Sequence, residues 1–421
     1  MMNDRWRTTR LKYVADVNAA VLPENTDDDF EFVYIDIGNV TQGTMNTNVA
    51  PIRFADAPSR ARRLANPGDS VVSTVRTYLR AVATVPSHDE PLVFSTGFAV
   101  LSPRDEVHPR FLSWYLQGDE FVSRVEANSM GVSYPAITAT QLVAFDLRLP
   151  SLEEQRAIAV HLDRETARID MLIEEQQRLI ELLRERRRAL RVHSALHGTT
   201  QVPEVQSPLP WACTLPESWR VVPLTSVAQL ESGHTPSRSR EDWWTDCYIP
   251  WVSLHDVGTM RGAKYLEDTA QRISDAGLAN SSARVLPART VVLSRDATVG
   301  RTAIMGVPMA TSQHFAAWVC GPLLEPEYLW VLFADAMQPF FDSFQNGSTI
   351  RTIGMRDLKA FRIPLPPIDE QRRIVEYLDE ETTKIDTLIA ESERFIEFAR
   401  ERRAALITAA VTGQVDVRQM A

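Results

Sequence analysis

The side chains with most to offer chemically are arginines, hydroxyls and aromatic rings gathered in short turns, not paired carboxylates or metal ligands. In the first half Ser73, Thr74, Arg76, Tyr78 and Arg80 crowd the segment STVRTYLR, and Ser133 and Tyr134 follow the glycine of NSMGVSYPAIT. In the second half Arg238 and Arg240 lie beside Trp243 and Trp244 in LESGHTPSRSREDWW. Ser294, Arg295, Thr298 and Arg301 then occupy VVLSRDATVGRTAI, and Ser348, Thr349 and Arg351 occupy NGSTIRTIG. Arginine pairs both major-groove acceptors of guanine, and hydroxyls serve base edges or phosphates. The chemistry this set predicts is recognition of a DNA duplex. Any one of these residues also suits an ordinary surface, so the inference rests on the ensemble. Trp6 and Trp219, which open the two halves, read as core anchors.

Catalytic signatures are missing by comparison. The sequence has no glycine-rich Walker loop, no HExxH, no GxSxG elbow and no histidine cluster at zinc spacing. Neither does it carry the cofactor loop and NPPY-like motif of a DNA methyltransferase; PPIDEQ has the prolines but stands at a helix start. The expectation is a non-enzyme with no cofactor and no metal of its own.

Stepping from these turns to what must position them, 421 residues exceed one ordinary core, and 44% hydrophobic with 24% charged residues is a globular composition. No apolar run reaches membrane-spanning length, and MMNDRWRTTRLKYV lacks a signal-peptide core, so a cytoplasmic protein is expected. Cys213, Cys247 and Cys320 stand far apart, which suits a reducing compartment. The net charge of −10 counts against a nucleic-acid binder, although phosphate contact depends on local charge. It implies that a partner supplies much of the sequence-independent affinity. A protein–protein scaffold, two adaptor domains on a rod, is the alternative that this charge favours.

The chain repeats itself once. Residues 149–190, LPSLEEQRAIAVHLDRETARIDMLIEEQQRLIELLRERRRAL, and 365–406, LPPIDEQRRIVEYLDEETTKIDTLIAESERFIEFARERRAAL, share 24 of 42 positions without a gap. Each starts after proline with an acidic first turn and then has no glycine or proline for over 40 residues, the pattern of one long helix. Heptads run through Leu162, Ile169, Leu183 and Leu190 with Leu172 and Leu179, and through Leu378, Ile385 and Leu406 with Leu388 and Phe395. Ile173, Ile180, Ile389 and Ile396 widen the stripe, while Gln176 and Ser392 interrupt it. Two such helices, each roughly 60 Å at about 1.5 Å per residue, are natural partners in an antiparallel coiled coil. The arginine runs 184–188 and 400–403 read as solvated helix ends.

The variable segments share landmarks in the same order. PGDSVVSTVRTYLRAVATV answers PARTVVLSRDATVGRTAIM, FSTGFAVLSP answers TSQHFAAWVC, FLSWYL answers YLWVLF, and FDLRLP answers FRIPLP. A shared frame with divergent loops suits one scaffold adapted to two targets. The predicted class is α+β: two pseudo-repeated α/β domains separated by two long antiparallel coiled-coil helices. The expected divisions are 1–148, a central helix in 149–198, a linker 199–214, 215–364, and a C-terminal helix in 365–421.

Two variable domains, each followed by a long helix that LPxxxEQ initiates, resemble the specificity subunit of type I restriction–modification systems. The second half carries the resemblance in LPESWRVVPL, ESGHTPSRSREDWW, YIPWVSLHDV, VVLSRDATVGRTAI and LPPIDEQ. The first half has Trp6, YIDIGNV and PGDSVVSTV, without the GxTPS segment or the ATxG turn. The resemblance implies that each domain is a target-recognition domain reading half of a bipartite, asymmetric DNA site. It implies paired helices that fix the unread spacer and dock two modification (methyltransferase) subunits, with S-adenosylmethionine bound by those subunits. Restriction subunits would add an ATP-dependent nuclease, and no membrane is involved.

Overall fold

The computed structural model describes residues 6–344 and 352–417, so Ser348, Thr349 and Arg351 lie outside the described residues. The chain forms two compact units, residues 1–178 with 392–421, and residues 179–391. Each unit draws on both long helices, Leu152–His197 and Ile368–Val411.

In the first unit a four-stranded antiparallel sheet runs in the order Ala15–Val17, Phe98–Pro103, Ser70–Ser73, Val82–Thr84. Beside it lies a five-stranded sheet in the order Ala20–Val21, Ala61–Leu64, Leu92–Ser95, Glu31–Ile35, Ile52–Arg53. SVVS and LVFS are buried at every position, as strands covered on both faces must be, so they read as continuous runs rather than alternating text. The helix Pro109–Gln117 starts on proline, whose missing N–H costs nothing at a helix N-terminus, and it buries Phe111, Leu112 and Leu116 completely. Its Trp114 donates to Asp163 of the first long helix at 2.9 Å.

The second unit repeats this plan. Its five-stranded sheet runs Ala228–Ser232, Phe315–Cys320, Val291–Ser294, Thr302–Met305, Tyr265–Leu266. A three-stranded sheet of Arg272–Ile273, Ile249–Val252 and Ala310–Thr311 stands with it. Trp318, Tyr328 and Phe333 fill the core, and the Tyr328 hydroxyl donates to the Ala195 carbonyl of the first long helix at 2.9 Å.

The repeated EQ pair has a structural reason. Gln155 is fully buried, accepts from the His108 N–H at 2.7 Å and donates to the carbonyls of Glu106 and Pro150 at 3.1 and 3.0 Å. Gln371 makes the same set with Glu325 N–H and the carbonyls of Leu323 and Pro366, at 2.9, 3.0 and 2.9 Å. One amide thus satisfies three backbone groups and fixes each long helix to its sheet domain. The tryptophans play matched parts too: Trp6 packs over Gly413 and Trp219 over Gly198, both glycines with positive φ just past a long helix.

Within each unit the two helices run antiparallel. Asp170 pairs with Arg403 at 2.9 Å in the first unit, and the repeat-equivalent Asp386 pairs with Arg187 in the second. Leu162 and Ile407 share one core, and Ala195 shares the other with Leu378. Arg187 and Arg403, expected as solvated ends, are therefore half-buried ion pairs across the seam, because an acid of the facing helix stands opposite each.

The seam itself lies one residue away from part of the expected set. Leu162, Ile169, Leu183, Leu378 and Ile385 are buried, and Leu190 and Leu406 are partly so. Leu172, Leu179, Leu388 and Phe395 are 39 to 49% exposed, while Ile173, Ile180, Ile389 and Ile396 beside them are buried. A step of one residue turns a helix by about 100°, enough to move a side chain out of a seam.

Candidate nucleic-acid interface

The turn after Ser70–Ser73 in the first unit is held from both sides. The Thr74 N–H donates to Gly97 O at 2.8 Å, and Ile137 N–H donates to Thr74 O at 2.9 Å. In the second unit the turn after Val291–Ser294 is held the same way: Arg295 N–H to His314 O at 2.9 Å, and Ile353 N–H to Arg295 O at 2.7 Å. Ile137 and Ile353 are 216 residues apart, the offset of the helix repeat. One backbone frame thus presents a turn, the start of a second strand and a third segment together in each unit.

What that frame carries differs. In the first unit Arg76 and Arg80 adopt left-handed backbone around a short 3-10 turn. Thr77, buried, donates to Ser129 at 2.8 Å. Arg80 grips Glu126 through two bonds of 3.0 and 3.1 Å and reaches Asp119 at 3.3 Å, which raises its already high pKa and ties the turn to the helix Asp119–Ala127. Met130 and Ala136 pair backbone to backbone, so Gly131–Pro135 stand out as a finger with Gly131 in positive φ. Val132 is fully exposed, Tyr134 is 68% and Tyr78 55% exposed, and Ser133 is exposed. Arg76 lies over the Tyr134 ring at 5.3 Å, which braces the guanidinium without neutralising it.

The second unit is more polar. Asp296 accepts from Thr352 at 2.8 Å and from Ala297 N–H at 2.9 Å, and its other oxygen meets His314 Nδ1 at 2.8 Å. Burial works to raise the Asp296 pKa, but the bonds from Thr352, His314 and Ala297 outweigh it and hold the carboxyl below its ordinary range. His314 Nε2 meets Gln313 Nε2 at 3.3 Å, and Gln313 accepts from Thr235 at 2.6 Å. Residues 235, 296, 313, 314 and 352 thus form one network from four separate stretches of chain. Arg238 lies 3.9 Å over Trp244, whereas Arg240 is neutralised by two bonds of 2.9 and 2.8 Å to Asp242. Arg295 donates to Ile353 O at 3.0 Å, Thr298 and Arg301 are half-buried, and all three border this turn.

Three expected contact residues point inward. Ser73 and Ser294 are buried and donate to Val75 O and Asp296 O, and buried Thr74 donates to Gly97 O. The two serines close their own turns, each hydroxyl at a strand end finding a backbone carbonyl two residues on, while Thr74 ties its turn to the neighbouring hairpin. Gln313 and His314 were not singled out by spacing; their partners come from other segments, and only TSQHF at the landmark position hinted at them.

The type I restriction modification DNA specificity domain family matches residues 3–183 and again 216–394. The chain belongs to that family. Its two matches coincide with the two copies of frame and helix. Among relatives, the MjaIX specificity subunit of Methanocaldococcus jannaschii is 27% identical over 39% of this chain and 38% of its own length. The EcoR124I/EcoR124II specificity subunit of Escherichia coli is 24% identical over 42% of this chain and 45% of its own. These alignments thus span under half of either relative. The HindI specificity subunit of Haemophilus influenzae is 21% identical over 75% of this chain and 80% of its own. The fold is similar to the crystal structure of the HsdS subunit from Thermoanaerobacter tengcongensis, with TM-score 0.60, 25% identity and 98% of both chains covered. A chain solved in work on complex assembly and conformational transition of the type I R-M system gives TM-score 0.79 at 24% identity, over 99% of this chain and 100% of that one. The second unit holds the GxTPS and ATxG segments within its polar network: Thr235 from the first and Asp296–Thr298 beside the second.

Proposed function

We propose that this chain is the sequence-reading, non-catalytic subunit of a type I restriction–modification complex. Each unit reads one half of a bipartite, asymmetric DNA target, and the long helices set the spacer. The observation that carries the reading is the pair of matched backbone frames with unlike side chains at their tips. Such a pair holds two readers in the same pose while letting them prefer different bases. Arg76, Tyr78, Ser133 and Tyr134 are the readers of the first unit; Arg238, Thr298, Gln313 and His314 are those of the second, with Arg301 at the root of its turn. Arg80 and Arg240 act by shaping their loops, since acids already hold them.

The exposed Leu172, Leu179, Leu388 and Phe395 are the surface on which modification subunits dock, two of them for two repeats. S-adenosylmethionine belongs to those subunits and ATP to a restriction subunit, and the complex works in the cytoplasm. Docking of a DNA-binding partner answers the acidic net charge, since the partner supplies backbone affinity that a chain of charge −10 does not.

The test is to change one unit at a time in the chain co-expressed with its modification partner and to map the methylated bases. Arg76→Ala with Tyr134→Ala relaxes one half of the motif, and Thr298→Ala with Gln313→Ala relaxes the other. Each lost base contact removes about 1–3 kcal/mol of discrimination. An unchanged motif from both double variants would remove the assignment of these loops.

A further inference from the structure

The second unit contains a pocket of about 460 Å³ between the end of the first long helix, the turn Thr259–Arg261 and the hairpin base Gly300–Thr302. Cations dominate its lining. Four of the helix's arginines reach it, and Arg261, Lys264 and Arg301 face them, against only Asp335 and Asp386. Some are already paired: Arg187 with Asp386, Lys264 with Asp379 at 2.8 Å, and Arg191 beside Asp335 at 3.7 Å. Arg191 and Lys264 also lie over Trp330, at 5.2 and 5.8 Å. Among the described residues, no acid stands within ion-pair distance of Arg188, Arg261 or Arg301.

Arg188, Arg261 and Arg301 belong to three separate elements that line one pocket, and an anion bound there is attracted to all three. The repeat shows that the fold does not require the two cations on the helix. At the offset of 216 residues, Arg188 and Arg191 correspond to Ala404 and Ile407, where RERRRALR becomes RERRAALI. The first unit keeps the equivalent Arg403–Asp170 pair without these two cations. Asp335 lines the wall: burial raises its pKa while Arg191, Arg188 and Arg187 lower it, and one carboxylate oxygen has no hydrogen-bond donor. It lies beside Arg191, while Arg188, Arg261 and Arg301 line the same pocket.

We infer that this pocket clamps a backbone phosphodiester of the duplex whose bases the adjoining turn reads. The inference rests on the DNA-reading function proposed above. Position favours the duplex over an acidic protein partner. Arg301 O accepts from Ser294 N–H at 2.7 Å, so Arg301 belongs to the same hairpin as the 295–300 turn and sits at its base. A reading turn with a phosphate clamp at its root fixes register on the backbone while the tip meets base edges. The planar fork of arginine, rather than lysine, suits the phosphate oxygens. Its helix cations have no counterpart in the other repeat, so backbone affinity divides unequally between the two half-sites.

The experiment compares the wild-type complex with its modification partner against R188A/R261A in duplex-binding titrations over a range of salt. Two phosphate-facing cations removed should lower the slope of log affinity against log salt by about 1–2, equally for target and scrambled duplexes. The methylated motif should be unchanged, and R188K/R261K should restore the slope. A wild-type slope in R188A/R261A overturns the clamp. So does an unchanged slope with heat stabilisation by inorganic pyrophosphate in the wild type alone, which would assign the pocket to a free phosphate. If the wild-type complex binds no duplex at all, the reading function fails and the clamp with it.

Discussion

Removing one heptad from each long helix, residues 175–181 and 392–398 together, is expected to shorten the unread spacer of the target by about three base pairs. Seven residues at about 1.5 Å each take roughly 10 Å from each helix, and a duplex rises about 3.4 Å per base pair. A whole heptad keeps the apolar positions in phase, so Ile169 and Ile385 continue into the same seam and the Asp170–Arg403 and Asp386–Arg187 pairs survive. Three base pairs also turn the duplex by roughly a third of a helical repeat. Affinity therefore falls even at the new optimum, because the two readers meet the duplex out of phase. The readout is the spacer length in the methylated motif of a host expressing the deletion with its modification partner. A spacer of wild-type length would mean that the helices do not act as the ruler.

The largest single-residue effect is expected at Gly233, inside the GHTPS segment. A Cβ there would overlap the carbonyl of Thr311, and the neighbouring backbone cannot withdraw. Ser232 is paired in register with Ala316, and the His234 N–H donates to that same Thr311 carbonyl at 3.0 Å. Gly233→Ala therefore breaks the edge of the five-stranded sheet and displaces Thr235, which anchors Gln313 in the polar network. The expected cost is at least about 3 kcal/mol in the second unit, in the range reserved for overpacking and lost sheet bonds. Recognition of the second half-site should be lost with it. Gly258→Ala is the matched control: no heavy atom lies within 4 Å of its added methyl, and its backbone is already helical. Thermal unfolding of the three chains separates the cases, and equal stability of the Gly233 and Gly258 variants would refute the packing argument.

Much of this architecture was legible in the sequence because duplication supplies an internal comparison. The helix repeat marked the long helices, the landmark pairs marked the shared frame, and Trp6 and Trp219 are the core anchors that they appeared to be. Periodicity alone does not say which of two adjacent heptad positions faces the partner helix. Leu172 and Ile173 recur with the same period, and only the geometry of the paired helices buries the second. Composition singled out the candidate loops, but not the direction of each side chain. Ser73 and Ser294 are the last residues of their strands, and Arg76 and Thr298 lie three and four residues beyond. The Asp296–His314–Gln313 network was hidden for a different reason. Its members are joined by sheet pairing between segments far apart in sequence, and spacing carries no trace of that.

A net charge of −10 argued against DNA, yet local cations are gathered where one hairpin meets one helix. The arginine runs are similar in the two repeats, but Arg188 and Arg191 are replaced by Ala404 and Ile407 in the second copy.

The central claim is that the two units read DNA independently, and exchange of segments tests it most directly. Residues 1–148 are replaced by the corresponding segment of a family member with another target, the chimera is co-expressed with the modification partner, and methylated bases are mapped across the host DNA. The expected result is a two-part motif in which one half changes, the other half persists and the spacer keeps its length. A motif altered in both halves, or one unaltered, would contradict it.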